Sequence, residues 1–208
     1  MSVRAESVPR AGGRLTGITA LVTDVDADMG RAMALALAHE GADVRLIHHI
    51  SDGEQRVAGD LGPFDVLVTN TAFEWRRGLS AADDVAALER AFRMNIEAAF
   101  AFSEAMAARM NDGGAIILTA PMRHRQPVEP IRALVAAAHG ISTLTASLAE
   151  RLAGRRIRVN TVVPGEAAAP AALAPVYVFL AASAESGLVN GITLDATSGP
   201  PPPLPSLK

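Results

Sequence analysis

The chain of 208 residues contains one tyrosine, Tyr177, and one lysine, Lys208, its last residue. Proton transfer that needs a tyrosine and a lysine side by side on one helix is therefore excluded. There is no cysteine, so a disulfide, a thiolate nucleophile and a zinc–thiolate site are excluded as well. Aromatic residues make up only 4% of the chain, and half of the residues are apolar. The core must therefore be built from Ala, Leu, Val and Ile.

Positive charge is scarce too. The formal net charge is −3 and the sequence pI is about 5.9, with the arginines scattered along the chain. No basic surface for a phosphate backbone is expected, so nucleic acid is not an expected partner. The first fourteen residues lack the apolar run of a signal peptide, which predicts a cytoplasmic protein. The longest apolar stretch, 167–184, contains Pro170 and Pro175, so no membrane span is expected.

Short apolar runs alternate with helical patterns along the chain, which predicts one domain with a parallel sheet covered on both faces. We expect a flexible leader at 1–14, a domain at 15–199 and a proline-rich tail at 200–208. The predicted strands are 18–23, 44–48, 65–69, 115–119, 156–162 and 191–196. The predicted helices are 29–40, two stretches within 83–110, 130–153 and 171–184.

Three segments, in this order, carry a family resemblance. The first is Leu15-Thr-Gly-Ile-Thr-Ala-Leu-Val-Thr23, and the second is Asp65-Val-Leu-Val-Thr-Asn-Thr-Ala72. The third comprises Leu144 to Ala153 followed by Ile157-Arg-Val-Asn-Thr-Val-Val-Pro-Gly165. Together they resemble the short-chain dehydrogenase/reductase family. The resemblance implies an α/β fold with a single Rossmann-type, doubly wound parallel sheet.

The resemblance also implies a shortened fold. Only the fifteen residues 50–64 separate the second predicted strand region from Asp65, whereas the family fits a helix, a third strand and a second helix there. Only nine residues lie between Gly165 and Pro175, where the family carries a segment that covers the substrate. We therefore expect the third strand and the substrate lid to be missing.

The cofactor motif departs from the family pattern. Working members follow the first strand with Thr-Gly-x-x-x-Gly-x-Gly, and here Asp24 and Asp28 occupy two glycine positions while Gly30 keeps the third. Two unit charges about 4 Å apart repel by about 4 kcal/mol at an effective dielectric of about 20. Binding of a nicotinamide dinucleotide is therefore expected to be severely weakened, and no cofactor is predicted. Asp28 is expected to cap the helix instead.

The other cofactor positions of the family correspond to His48, at the end of the second strand, and Asn70. The family offers an Asp or an Arg at the first of these, and His48 with its neighbour His49 replaces it. Asp24, Asp26 and Asp28 also resemble the start of a calcium loop. The sixth and twelfth positions of that loop would be Met29 and Leu35 rather than Gly and Glu, so no metal site is predicted.

The catalytic positions of the family are occupied by residues that cannot perform its proton transfer. Alignment on Leu144 places the catalytic tyrosine at Leu134, the lysine at Ala138 and the serine at Pro121 or Ala120. Asn95 is the one relict of the catalytic set. Thr119 precedes the serine position by two residues, and its hydroxyl is expected to reach partway into the site.

These departures predict a non-catalytic member of the family, an inactive structural or regulatory subunit. Its expected partners are further copies of itself or an active member of the family. The expected contacts are the helices around 95–110 and 132–153 and the region 171–196, which correspond to the family's association surfaces.

Two alternatives remain open from the sequence. The first is a non-redox enzyme or a small-molecule-binding protein that reuses the cleft through Met122-Arg-His-Arg-Gln126, Glu129 and His139. The arginines that flank His124 would then hold a carboxylate or a phosphate. The second is a NAD(P)-dependent oxidoreductase with atypical residues, which would need a new proton donor and a new site for the diphosphate.

Overall fold

A computed structural model describes residues 13–25, 27–47, 61–70, 89, 96, 98–120, 132–165 and 169–196. Six strands and five α-helices are bounded within these residues. The strands are β1 (Thr19–Thr23), β2 (Asp43–Ile47), β3 (Phe64–Asn70), β4 (Met110–Thr119), β5 (Arg158–Pro164) and β6 (Thr193–Ala196). The helices are α1 (Asp28–His39), α2 (Ala98–Ala107), α3 (Arg132–Leu152), α4 (Pro170–Ala181) and α5 (Ser183–Ser186), with a short 3₁₀ helix at Ala153–Arg155.

The six strands form one parallel sheet in the order β2-β1-β3-β4-β5-β6. Central strands are buried on both faces, and every residue of β5 is buried, as expected for short apolar runs in a parallel sheet. The doubly wound α/β fold predicted from the sequence is therefore confirmed. Among the described residues the sheet ends at β2. Residues 48–60 lie outside them, so the absence of a further strand stays a prediction.

Two apolar clusters cover the two faces of the sheet. Residues of α1 and α4, including Met33, Leu37 and Tyr177, pack on one face. Residues of α2 and α3, including Phe102, Met106 and Leu148, pack on the other. Because the chain passes from β1 to β2 on one side and returns to β3 on the other, the winding reverses at β1. A crevice is expected at the carboxyl ends of β1 and β3, where this fold binds its ligands.

Local signals set most element boundaries within one to five residues of the predictions. Gly41, which the sequence predicts to end α1, follows the last helical turn and has φ +92°. Few residues with a side chain tolerate this backbone conformation, so glycine suits this position. The predicted helix 171–184 is instead two helices that meet at Ala182. Residues 166–168, between β5 and α4, lie outside the described residues, so the absence of a substrate lid stays a prediction.

In the part of the chain that the structure describes, no helix combines the length and the apolar character that crossing a membrane would require. The segments predicted to associate with other subunits include α2, α3, α4 and β6. Association through them stays a prediction.

Candidate active site

Asp24, the first residue after β1, has the backbone conformation that glycine normally provides. Asp24 has φ +55°, in the left-handed region, which Asp tolerates better than most side chains do. A Cβ on Gly30 would lie 2.4 Å from the carbonyl oxygen of Asp24 and 2.9 Å from that of Thr23. The first turn of α1 therefore lies directly against the end of β1, and this approach requires glycine at position 30.

Asp28 does not cap the helix, so that prediction was wrong. The N-cap residue is Ala27, which makes no side-chain capping hydrogen bond, and Asp28 is the first helical residue. Its side chain is exposed. A carboxylate in the first turn still interacts favourably with the positive end of the helix dipole, but a first-turn residue has no β-region backbone with which to form a side-chain cap.

Asp24 is partly buried, and its carboxylate is held by its neighbour. The hydroxyl of Thr23 donates to Asp24 Oδ2 at 2.9 Å. Thr23 itself is fully buried at the carboxyl end of β1. One of the two replaced glycine positions thus carries a carboxylate that is oriented by a hydrogen bond from the preceding residue.

Asn70, at the carboxyl end of β3, binds the end of β1. Its backbone N–H donates to Thr23 Oγ1 and its side-chain Nδ2 donates to the carbonyl oxygen of Thr23, both at 3.1 Å. The side chain is almost fully buried. Asn70 therefore fixes the position of the last residue of β1, from which the turn at Asp24 starts.

Thr119, at the end of β4, is part of the core rather than the cleft. Its hydroxyl donates to Asn70 Oδ1 at 2.8 Å and contacts the Tyr177 hydroxyl oxygen at 2.8 Å. Both Thr119 and Tyr177 are buried, and Tyr177 packs in the cluster shared by α1 and α4. The expectation that the Thr119 hydroxyl reaches into the cleft was therefore wrong. Tyr177 had no predicted role at this edge, and no spacing pattern in the sequence connects it with Thr119.

Burial raises the pKa of the Tyr177 phenol, while the hydrogen bond with Thr119 acts in the opposite direction and is the weaker influence. The neutral phenol is therefore the stable form in the folded protein. No proton leaves this group near neutral pH, so Tyr177 cannot act as an acid–base catalyst from this position.

Alkaline pH should destabilise the protein through Tyr177. Its pKa in the folded protein is raised above the usual value of about 10, so above pH 10 the phenol ionises more readily in the unfolded chain. The contribution of Tyr177 to the free energy of unfolding is therefore complete below pH 10 and falls by about 1.4 kcal/mol per pH unit above it. Urea unfolding between about pH 9 and pH 11 measures this slope, and the sole tyrosine makes tyrosinate absorbance specific for this residue. Tyr177→Phe should remove the slope. Tyrosinate absorbance appearing at pH 10 while the protein stays folded would contradict the prediction.

The structure describes only part of the predicted site. His48, Asn95, Pro121, the segment 122–126 and Glu129 lie outside the described residues. Leu134 and Ala138 lie within α3, on the helix that the resemblance assigns to the catalytic pair. His139 follows them on α3 and is exposed. The described cofactor positions Asp24, Asp28, Gly30 and Asn70 meet at the carboxyl ends of β1 and β3.

Comparisons with known proteins agree with this fold. The family model described as Enoyl-(Acyl carrier protein) reductase matches residues 43–175, more than half of the chain. The uncharacterized oxidoreductase YhdF of Bacillus subtilis (strain 168) is 27% identical over 188 residues, covering 75% of this chain and 65% of that protein. NADPH-dependent aldehyde reductase 1, chloroplastic, of Arabidopsis thaliana is 26% identical over 250 residues, covering 89% and 87%. The chain thus spans just under two thirds of YhdF and most of the aldehyde reductase.

Solved structures are similar over nearly the whole chain. The reductase LugOII, described as promiscuous and as catalysing keto-reduction at C1 during lugdunomycin biosynthesis, is 27% identical with a TM-score of 0.75. The similarity covers 90% of this chain and 98% of that one. A short-chain dehydrogenase/reductase from Serratia marcescens BCRC 10948 is 25% identical with a TM-score of 0.76, covering 89% and 98%.

The prediction that the chain is not an enzyme is contradicted by these comparisons, because the matching family and the named relatives are reductases and oxidoreductases. That prediction gave full weight to the missing tyrosine and lysine and to the charge that Asp24 and Asp28 bring to the cofactor motif. Asp24, however, adopts the left-handed backbone that glycine normally provides at this position. By its family match, its fold and its relatives, this chain belongs to the short-chain dehydrogenase/reductase family of oxidoreductases.

Proposed function

We propose that the chain is a nicotinamide-dependent oxidoreductase with an atypical site. The dinucleotide diphosphate would bind at the N-terminus of α1, beside the carboxyl ends of β1 and β3. The observation that carries the proposal is the turn from Asp24 to Gly30. It combines a left-handed backbone at position 24 with the close approach of Gly30, where any Cβ would meet the backbone of Asp24. In the family's glycine motif the first and third glycines serve this tight turn and this close packing, and the helix N-terminus beside them receives the diphosphate. The middle glycine, which lets the backbone approach the diphosphate, is replaced here by Asp28.

The two aspartates weaken this site without closing it. Asp28 is exposed, so water screens its carboxylate, and repulsion across about 4 Å falls to about 1 kcal/mol in bulk water. The carboxylate of Asp24 accepts a hydrogen bond from Thr23, which orients it. The N-cap residue Ala27 provides no side-chain cap at the amino end of α1, the end of a helix that attracts anions. Dinucleotide binding that is weak but saturable follows from this balance.

A bound nicotinamide would supply the hydride. Residues of this chain would position the dinucleotide. Asn70 fixes the end of β1, and Gly30 lets the first turn of α1 lie directly against it. Thr119 and Tyr177 hold each other in the core and do not protonate a substrate. The proton for the substrate oxygen would come from water or from a side chain outside the described residues. The relatives named for keto-reduction and for aldehyde reduction support a carbonyl compound as the substrate class.

Titration with NADH and NADPH, followed by fluorescence and calorimetry, tests the proposal. The natural chain should bind at least one of them saturably. Asp28→Asn should tighten binding by about fivefold, since removing a repulsion of about 1 kcal/mol changes an affinity by that factor. Asp24→Asn should tighten it by less, because Thr23 holds that carboxylate at the end of β1. Asparagine keeps the size of the side chain and also tolerates the left-handed backbone at position 24.

Asp112→Asn provides the matched control. Asp112 is an exposed carboxylate near the start of β4, at the opposite edge of the sheet, and it pairs with Arg155. Its neutralisation changes the net charge by the same amount and should leave dinucleotide affinity unchanged. If neither the natural chain nor the two asparagine variants bind a dinucleotide, the proposed function is wrong.

A further inference from the structure

A chain of hydrogen bonds runs from α4, across the ends of three strands, to the turn at Asp24. Tyr177 contacts Thr119 at 2.8 Å, and Thr119 contacts Asn70 at 2.8 Å. Asn70 binds Thr23 through two bonds of 3.1 Å, and Thr23 binds Asp24 at 2.9 Å. Four of these five residues are buried, so water does not compete for the hydrogen bonds between them. They are Tyr177, Thr119, Asn70 and Thr23.

The direction of each bond follows from the number of protons available. Asn70 Nδ2 donates to the Thr23 carbonyl oxygen, so its Oδ1 must accept from the Thr119 hydroxyl. A threonine hydroxyl has one proton, and therefore Tyr177 donates to Thr119. At the other end, Thr23 gives its proton to Asp24 and accepts from the Asn70 N–H. In both parts of the chain the donors point away from α4 and towards Asp24.

Packing alone does not account for the Tyr177 hydroxyl. A phenylalanine would occupy the same apolar cluster without bringing a polar group into a fully buried place. The hydroxyl of Tyr177 bonds to Thr119 at the end of β4. Thr119 bonds to Asn70, which fixes the end of β1. Neighbouring hydrogen bonds of this kind polarise and strengthen one another. The hydroxyl therefore supports the orientation of groups two strands away.

We propose that Tyr177 is a positioning residue for the dinucleotide site and acts through Thr119, Asn70 and Thr23 on the carboxylate of Asp24. When all of these hydrogen bonds are present, Thr23 holds this carboxylate at the end of β1 and away from the path of the diphosphate. When one of them is removed, the end of β1 loosens and the carboxylate turns towards the diphosphate. This inference rests on the proposed function, since it assumes that a dinucleotide diphosphate binds at the turn.

A thermodynamic cycle between positions 177 and 24 tests the inference. Tyr177→Phe is expected to weaken NADH binding by about fivefold in the natural chain, the effect of one hydrogen bond. In an Asp24→Gly background the same substitution should leave the affinity unchanged, because no carboxylate remains to be positioned. Thr119→Val removes the next hydroxyl in this series of hydrogen bonds. It should likewise weaken NADH binding in the natural background and leave it unchanged in the Asp24→Gly background.

Val178→Ala is the matched control, because Val178 follows Tyr177 in α4 and is buried in the same cluster but takes no part in this series of hydrogen bonds. It should lower stability without changing the NADH affinity. Equal weakening by Tyr177→Phe with and without Asp24 would show a structural role only and overturn the inference. So would an unchanged affinity in the natural background. If neither the natural chain nor Asp24→Gly binds NADH, the proposed function fails and the inference fails with it.

Discussion

Replacing Arg158 with methionine is expected to lower the free energy of unfolding by about 3 kcal/mol, one of the two largest effects that we expect from a single substitution in this chain. Arg158 begins β5 and is 6% exposed. Its guanidinium donates to the carbonyl oxygens of Leu180 and Ser186 at 2.9 and 3.1 Å and to the Ser186 hydroxyl at 3.0 Å. Methionine fills similar space but leaves these buried acceptors with fewer donors.

The position of this charge explains the size of the effect. Leu180 lies in the last turn of α4, so the guanidinium meets the negative end of that helix dipole. Burial lowers the pKa of Arg158, but arginine stays protonated at neutral pH. The favourable bonds and the dipole together offset the cost of burying the charge. Removing the side chain removes all of them at the point where α4, α5 and β5 meet.

Urea unfolding at neutral pH measures this loss, with Arg151→Met as the control. Arg151 is 60% exposed and pairs with Glu104 at 2.6 Å, and exposed pairs of this kind contribute about 0–1 kcal/mol. Arg158→Lys should keep the charge, lose part of the bonding, and lie between the natural chain and Arg158→Met. If Arg158→Met and Arg151→Met have the same stability, the buried guanidinium does not hold these elements together.

The strands and helices were predictable because their signals are local. The apolar run at the start of the domain gives β1, and Gly41 marks the end of α1 through its left-handed backbone. The break of the predicted helix 171–184 at Ala182 was missed because one of the two groups that bond its last turn, Arg158, is distant in the sequence. Arg158 and the Ser186 hydroxyl bond the Leu180 carbonyl oxygen, and nothing in the alanine-rich sequence indicates this stop.

The candidate site was only partly predictable. Asp24, Asp28, Gly30 and Asn70 were placed at one edge by the order of the motifs, and the structure brings them together there. The substitution of glycine by Asp24 was interpreted only through the side chain and charge that it adds, and the sequence did not show that Asp24 keeps the left-handed backbone, which aspartate tolerates. The contact of Tyr177 with Thr119 joins residues 58 positions apart, and no periodicity reports such a pair.

Gly30→Ala is the second substitution with a large expected effect, and it bears on fold and function together. In an exposed helix, replacing glycine with alanine stabilises by about 1 kcal/mol. Here the new Cβ would lie 2.4 Å from the Asp24 carbonyl oxygen and 2.8 Å from its carbonyl carbon. These are backbone atoms that cannot rotate aside, so α1 or the end of β1 must move. We expect a net loss of about 3 kcal/mol in the free energy of unfolding.

Gly154→Ala separates this steric effect from the general preference for alanine. Gly154 lies in the exposed 3₁₀ helix, and a Cβ there would meet no atom within 4 Å. Its replacement should be neutral or slightly stabilising in the same urea titration. Because the displaced turn is the proposed diphosphate site, Gly30→Ala should also abolish NADH binding under conditions in which the variant is still folded. A Gly30→Ala variant that is as stable as Gly154→Ala would show that the turn at Asp24 yields easily, and the rigid approach on which the proposed function rests would then be wrong.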